Sequence, residues 1–507
     1  MAEILFGQSY YLRFDPKLWQ AMQPYPPLGT LYAASYLRQR GYKVDLFDAM
    51  LAESETEWGQ ALDRAEPRFA VIFEDNFNYL SKMCLGRMRQ AAFAMLAIAR
   101  ERGCTTIVCG SDASDHAQEY MQHGADFVLI GEGEATLGEL IDQLSGRSDQ
   151  GISEILGLTH SQGVNPPRPD LKDLDALPFP AWDLVDVERY RGIWLKRHGV
   201  YSMNMVTTRG CPFHCNWCAK PIWGQRYNAR SPQNVAAEML WLKQTYHPDH
   251  IWFADDILGL KPGWLAGFAA AVKESDAAIP FKCLNRVDLL QRPGEIDALK
   301  QAGCQTIWVG AESGSQKILD AMDKGTRVEQ IYETTERLHD ADIQVGFFLQ
   351  FGYPGETRRD IEMTLEMVRR CDPDDIGMSV SYPLPGTRFH EAVRQELGEK
   401  KNWEDSSDLA MLYQGPFSTA FYRQLHGVLH KEFRLRKTWK QLRNGSFWSY
   451  ETRKAARQLR HFFYNLVSLP FARIKLEKLA RDSPHGLDQV LPHLSTSSAA
   501  NPTPQGD

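Results

Sequence analysis

A chain of 507 residues exceeds one ordinary core, and at about 100–200 residues per unit it points to roughly three folding units. Its 43% hydrophobic and 24% charged residues are those of a globular protein, and a net charge of −7 excludes a chain that is basic throughout. Nine Cys, an odd number, without a basic-then-apolar leader, argue for a reducing, cytoplasmic location over a disulfide framework. No apolar run reaches the roughly 18 residues of a membrane span, since the stretch 462–471 is short and contains Pro470.

In chain order, Glu3-Ile-Leu-Phe reads as a short strand, and residues 27–38 have helical spacing with Pro27 at the start and Gly41 past the end. Strand-like runs recur at 43–47, 69–73, 105–109 and 126–130, separated by helical segments. That alternation predicts a parallel, doubly wound α/β sheet. Ligands of such sheets lie outside the strand carboxyl ends. The candidates there are Asp75, Asn76, Gly110 to Ser114, and Gly131-Glu132-Gly133-Glu134. A Pro-rich stretch from Asn165-Pro-Pro to Pro178-Phe-Pro-Ala-Trp-Asp reads as a semi-rigid spacer. Six further strand-and-helix units follow, with strands at 203–207, 250–254, 281–285, 306–310, 344–350 and 375–381, which fits a partial (β/α)6 barrel. Barrels of this kind present their active residues at strand carboxyl ends.

The first barrel strand runs into Cys211-Pro-Phe-His-Cys215-Asn-Trp217-Cys218. Three thiolates can hold one corner of a cubane cluster and leave one iron open. A zinc site needs a fourth ligand; His214 is at hand, but the chain has no second Cys-x-x-Cys. The Cys-x3-Cys-x2-Cys spacing, with Trp217 before the last Cys, resembles the signature of the radical S-adenosylmethionine (SAM) superfamily. The resemblance implies a [4Fe-4S] cluster on Cys211, Cys215 and Cys218, SAM on the open iron, and formation of a 5'-deoxyadenosyl radical. It also implies SAM contacts from Trp217, from Asp255 and Asp256 after the second strand, from Glu312 and Ser313 after the fourth, and from Gln350 and Gly352 at the fifth. As residues alone, Asp255 and Asp256 read equally well as helix caps and Glu312 as a solvated loop acid. Cys283 lies in a barrel strand and would be a hydrogen-atom donor if it faced the cavity. Cys84, Cys104, Cys109, Cys304 and Cys371 read as isolated core thiols.

The N-terminal third, with Pro26-Pro27-Leu28-Gly29 opening its first helix and Gly131-Glu-Gly-Glu after its fifth strand, resembles the cobalamin-binding domain of one branch of that superfamily. Magnesium-protoporphyrin ester cyclase-like enzymes and C- and P-methyltransferases belong to it. The resemblance covers roughly residues 1–400 and implies a cobalamin site at Gly29, Asp75, Gly110, Ser111, Asp112, Gly131, Glu132 and Gly133. Two departures stand out. No Asp-x-His-x-x-Gly follows the first strand, which implies cobalamin without an axial His, and Cys109-Gly-Ser-Asp112 replaces a common Gly-Gly-x-His. The alternative is a domain that keeps the fold without the cofactor.

The expected organisation is a cobalamin-binding-like domain (1–150), a Pro-rich linker (151–195), a radical SAM barrel (196–400), a basic helical region (401–481) and a disordered tail (482–507). The expected function is a cobalamin-dependent radical SAM methyltransferase acting on an unactivated carbon of a small or lipid-like molecule, with flavodoxin or ferredoxin as electron donor. A ring-forming or oxidative cyclase uses the same parts. A methylthiotransferase is disfavoured because its extra Cys triplets are missing, and a non-catalytic scaffold because the Cys triplet is intact. Between Phe421 and Arg481, 15 Lys and Arg stand against three acids, a net of +12, interleaved with Phe433, Trp439, Phe462, Phe463 and Tyr464. Such helices suit an anionic membrane surface or a cap on the barrel with its charges in water; no nucleic-acid module is expected.

Overall fold

The computed structural model describes residues 2–78, 85–218, 222–444 and 452–482. Cys84 and the tail 483–507 lie outside the described residues. The first sheet contains β1 (Ile4–Gly7), β2 (Val44–Leu46), β3 (Phe69–Phe73), β4 (Thr105–Cys109), β5 (Phe127–Leu129), β6 (Leu158–His160) and β7 (Gly163–Val164), in the order β2-β1-β3-β4-β5-β6-β7. β1 to β5 are parallel. Alternate residues of its strands feed two cores: Leu5, Ala70, Ile72 and Val108 on one side, Ile4, Phe6, Val71 and Ile107 on the other. A sheet covered on both faces explains why Phe69-Ala-Val-Ile-Phe is apolar throughout and buried throughout.

The connector differs from a free spacer. β6 and β7 extend the first sheet antiparallel, and Trp182 beyond them is fully buried. Ala181 N–H donates to the Leu31 carbonyl at 3.2 Å, and Arg38 pairs with Asp183. Burial of one large aromatic outweighs the extended preference of its Pro neighbours.

β8 (Ser202–Met205) opens the second sheet; a hairpin of β9 (Thr208–Arg209) and β10 (Asn228–Ala229) follows it. Then come β11 (His250–Phe253), β12 (Phe281–Asn285), β13 (Cys304–Glu312), β14 (Gln344–Phe351) and β15 (Asp375–Val380). The six long strands are parallel in the order β15-β14-β13-β12-β11-β8. β8 and β15 are the two edges, so the barrel is open along one side. Burial alternates along its strands. Phe253 and Phe281 face outward and pack on Phe268 of the helix Trp264–Glu274. Trp252, Lys282 and Trp308 face inward and stay partly reachable, and Phe348 is 40% exposed. The concave face is therefore a trough rather than a filled core. Cys283 shares parity with Phe281 and is fully buried. It faces the helices and not the cavity, which removes it as a hydrogen donor to a bound radical. Cys104, Cys109, Cys304 and Cys371 are buried core thiols as expected.

The two sheets are joined by more than the connector. Tyr25, from the N-terminal unit, packs on Trp252 and Trp194 at 4.8 and 5.1 Å. Asp15 accepts from Ser406 N and Oγ at 3.1 and 2.7 Å, across 391 positions of sequence. The C-terminal helices Thr419–Arg443 and Thr452–Arg481 lie against each other and the barrel, burying Phe421, Tyr422, Leu425, Val428 and Leu429. Much of their positive charge is spent internally: Glu432 takes Arg369 and Arg473, Lys440 takes Asp372, and Arg358 takes Glu477. Pro470 sits inside the second helix. No helix among the described residues is long and apolar enough to cross a membrane.

Candidate functional site

The Cys loop begins where β9 ends. Gly210 has φ +82°, and a Cβ there would overlap the Arg226 carbonyl, so the turn into Cys211 requires glycine. Asp255, after β11, accepts from Thr207 N at 2.7 Å and from Thr208 N and Oγ1 at 2.6 and 2.8 Å. It is 1% exposed. Burial pushes its carboxyl up to about 6 against these hydrogen bonds. Asp255 thus shapes the approach to the Cys loop instead of reaching a ligand, whereas its neighbour Asp256 is exposed.

Cys215 is buried, with Cys211 and Cys218 partly exposed beside it. Arg286, immediately after β12, directs Nη1 at Cys215 Sγ from 3.8 Å, lies 3.6 Å over the Phe213 ring, and is braced by Asp288. Lys324 donates to Glu312 at 2.8 Å, and the Cys215 and Glu312 charges raise its pKa against desolvation. Two buried cations, Arg286 and Lys324, therefore stand beside the Cys215 sulfur. No group of three or more His, Cys, Asp and Glu among the described residues is arranged to hold a single metal ion. In a cubane each thiolate binds a different iron, so its ligands stand farther apart than those of one ion. His214 is exposed.

Asn216 locks the loop in place. Its N–H donates to Met322 O at 3.0 Å, its Nδ2 to Ala321 O at 2.7 Å, its Oδ1 accepts from Tyr353 OH at 2.8 Å, and its carbonyl accepts from Phe389 N at 3.0 Å. The turns after β13, β14 and β15 are thereby tied to the Cys loop through one side chain and its backbone. The buried Nε1 of Trp217 finds no acceptor among the described residues, a donor left over for a ligand. Other expected contacts are committed elsewhere. Ser313 is fully buried, with its hydroxyl shared between Thr364 Oγ1 and Ser315 N. Gln350 donates to Ser381, and Gly352 donates to Glu356 while accepting from Tyr413. Glu312 is paired with Lys324, so it is neither solvated nor free.

The strand ends of the first sheet face this loop. Arg209, one residue before Gly210 and 3% exposed, pairs with Glu134 at 2.5 Å and Glu132 at 3.4 Å and lies 4.8 Å over Trp223. Glu132 and Glu134 are therefore occupied by a protein cation. Gly29 and Gly133 are explained by packing: a Cβ on Gly29 would meet the 74–76 backbone at 3.2 Å, and one on Gly133 would overlap Cys109 Sγ. Gly110 is closed off by Glu74 in the same way, and Gly131 makes its turn at φ +78°. Asp112 is held by Arg89 and Tyr120, and Ser111 is buried beside it. Asp75 accepts from Gly29 N and Phe77 N. Open polar capacity lies instead at Gln8 Nε2 and Asn76 Oδ1, both buried without a partner among the described residues. They follow β1 and β3, the switch point of the sheet, where doubly wound folds bind ligands.

Arg286, Lys324, Asn216, Arg209 and Gln8 were not among the expected residues. Arg286, first after its strand, carried a positional signal; the other four make sense only through contacts distant in sequence.

Residues 205–368 match the Radical SAM superfamily. An uncharacterized methyltransferase of Pyrococcus horikoshii is 32% identical over 286 residues, 55% of this chain and 60% of that protein. The anaerobic magnesium-protoporphyrin IX monomethyl ester cyclase of Synechocystis is 25% identical, over 64% of this chain and 66% of that protein. The chain thus spans 60–66% of the length of these two relatives. Among solved structures, the radical SAM methyltransferase TsrM of Kitasatospora setae, with cobalamin and a [4Fe-4S] cluster bound, aligns with TM-score 0.61 at 19% identity, over 78% of both chains. The cobalamin-dependent SAM radical enzyme OxsB aligns with TM-score 0.69 at 16% identity, over 96% of this chain and 76% of that one. Residues 205–368, which include the Cys loop, thus carry the Radical SAM match, and the chain as a whole shares the fold of these two solved enzymes, a doubly wound sheet ahead of an open six-stranded barrel.

Proposed function

We propose that the protein is a cobalamin-dependent radical SAM enzyme that transfers a methyl group to an unactivated carbon of a small molecule. One observation carries the reading: the Cys loop, flanked by Arg286 and Lys324, is clamped by Arg209 to the strand ends of the first sheet, so groups bound at the two mouths would face each other. Cluster-bound SAM supplies a carbon radical and cobalamin a methyl carrier, chemistry beyond any amino-acid side chain. In this reading Cys211, Cys215 and Cys218 hold the cluster, and Arg286 and Lys324 offset its negative charge. Trp217 Nε1 and Asp256 offer SAM a donor and an acceptor, and Gln8 and Asn76 offer polar contacts to cobalamin. No imidazole follows β1 to reach cobalt. A flavodoxin- or ferredoxin-type donor supplies the electron. Methyl transfer is favoured over cyclisation by the 32%-identical relative, which is named a methyltransferase.

The test is anaerobic reconstitution with iron, sulfide and hydroxocobalamin. We expect one cubane per chain, lost when Cys211, Cys215 and Cys218 are replaced by Ala, a base-off, His-off cobalamin spectrum, and 5'-deoxyadenosine on reduction with SAM. A cluster that survives the triple substitution sinks the assignment; failure to take up cobalamin leaves a radical SAM enzyme whose first sheet is a scaffold.

Attachment to an anionic membrane belongs to the same reading. Phe463, Val467, Phe471 and Ile474 are 59–69% exposed on one stripe of the second C-terminal helix, with Arg457, Arg460, Lys475 and Lys478 around them. Apolar insertion with about 1 kcal/mol per nearby cation gives reversible binding.

A further inference from the structure

We propose that Lys282 is the anchor for an anionic group of the substrate, and that Trp308 and Phe348 form the platform for a flat, unsaturated body attached to it. This deepens the reading above and rests on it, by naming a substrate class for the trough.

Lys282 sits at the second position of β12 and faces inward. Its ammonium lies 5.5 Å over the Tyr25 ring and 5.2 Å over the Trp252 ring. Those two rings are 4.8 Å apart and tilted by 53°, so the cation rests against two aromatic faces, and Lys282 remains partly exposed. Among the described residues Nζ has no hydrogen-bond or ion-pair partner; Asp375, an exposed residue, is the acid whose charge reaches it. Aromatic faces stabilise a desolvated cation but do not neutralise it. A half-buried ammonium without a carboxylate is a costly arrangement in a resting protein. Burial lowers its pKa to about 8, so it still carries charge at neutral pH. His250 beside it is committed to Ser202 at 2.9 Å, and Ser202 to Tyr25 OH at 2.9 Å, so the cage is held rigidly.

The platform lies on the neighbouring strands. Gly346 has no side chain because the Trp308 indole occupies that space, and a Cβ on Gly377 would touch Trp308 and Phe348 at 3.5 Å. Trp308 and Phe348 are 4.8 Å apart and tilted by 32°. Two glycines at inward positions of β14 and β15 thus keep the trough wide above an aromatic floor, where a filled barrel would carry branched side chains. An exposed Phe on a central strand is otherwise an unused apolar surface. Arg286 follows four residues after Lys282, about 13 Å up the strand at about 3.3 Å per residue. The reacting carbon of such a substrate therefore lies several bonds from its anionic group, with the anion down the trough and the carbon toward the Cys loop.

The test uses the full-length reconstituted protein and two probes, 1-pyrenebutyrate and the neutral 1-pyrenebutanol, titrated by fluorescence. The acid should bind wild type roughly tenfold or more tighter than the alcohol, the scale of a charge-assisted contact. Lys282→Met should make the two equal, Lys282→Arg should keep the preference, and Trp308→Ala should weaken both. Equal binding of acid and alcohol to wild type, or a preference that survives Lys282→Met, overturns the proposal. Should Lys282→Met fold poorly by circular dichroism, the Lys282→Arg and wild-type ratios still decide, because a merely structural lysine gives no acid preference in either. Reductive SAM cleavage by wild type alone is scored separately: its absence defeats the proposed function and leaves the anion anchor to stand or fall on the probe ratio.

Discussion

Replacing Arg209 by Met tests the clamp between the two sheets. The guanidinium is 3% exposed, and the Glu132 and Glu134 side chains are 9% and 6% exposed. Removing the cation leaves two carboxylates buried side by side with no counter-charge. Breaking a buried pair this way costs about 3–5 kcal/mol, most of it the penalty of the stranded charge. Glu134→Gln is milder, since Arg209 keeps Glu132 at 3.4 Å, and should cost about 1–3 kcal/mol. The double variant, without one charge of each sign, should be more stable than the sum of the single losses, with a coupling of about 0.5–3 kcal/mol. Thermal unfolding reads this out: at about 2–4 °C per kcal/mol for units of 150–250 residues, Arg209→Met should lower the transition by roughly 6–20 °C. Because the chain has more than one core, hydrogen exchange at 131–134 and 207–210 must report the loss locally. A loss under about 1 kcal/mol, or strictly additive variants, would refute the idea that a desolvated ion pair joins the sheets.

Three further outcomes are expected. Burial raises the Glu356 carboxyl to about 8, with Gly352 N–H and Tyr422 OH only partly compensating. The folded state therefore holds a proton that the unfolded state releases near 4.5, and stability falls between about pH 4.5 and 8 by up to roughly 1.4 kcal/mol per unit. Melting from pH 5 to 8.5 should show that slope in wild type and a flatter one in Glu356→Gln; equal slopes would show that Glu356 does not titrate there. Gly314→Ala should destabilise by about 1–3 kcal/mol or more, because its Cβ would lie 2.7 Å from the Met363 carbonyl carbon, which cannot yield as a side chain would; denaturant titration measures it. Changing Phe463, Val467, Phe471 and Ile474 to Gln should leave the melting temperature nearly unchanged, each site within about 0.5 kcal/mol. It should abolish co-sedimentation with anionic vesicles, which high salt should also weaken; equal indifference of wild type to anionic and neutral vesicles would leave a solvated cap.

Local pattern made both sheets legible. Strand positions and parallel pairing followed from apolar runs separated by helical segments, and each run fell within a residue or two of its strand; the partial barrel followed from the count of six units together with the family resemblance of the Cys loop. The Cys loop was legible because three side chains that act together are adjacent in sequence. What stayed hidden depends on long-range pairing. Glycines at strand ends look the same whether a ligand or a neighbouring side chain occupies the missing Cβ, and Gly133 against Cys109 is the second case. An acid at a strand end looks the same whether it meets solvent, a cofactor or an internal cation, and Glu312, Glu134 and Asp112 all met cations. The connector's Pro content signals only extended backbone, whereas the burial that docks it comes from Trp182 and from two short strands paired onto the first sheet.

The bond from Asp15 to Ser406 bears on how the chain is made. A ribosome releases the first sheet long before the last barrel strand, yet Asp15 must wait 391 residues for its partner, and Tyr25 must wait for β11 and β12 to form its seat. Early in synthesis the N-terminal unit thus presents to solvent a carboxylate, held only by its local cap on Leu18 N, and an uncovered tyrosine, groups that only the later chain conceals. Dissecting the protein at the connector would recreate that nascent state, so a fragment ending near residue 150 should be stickier and less stable than the same residues within the whole molecule.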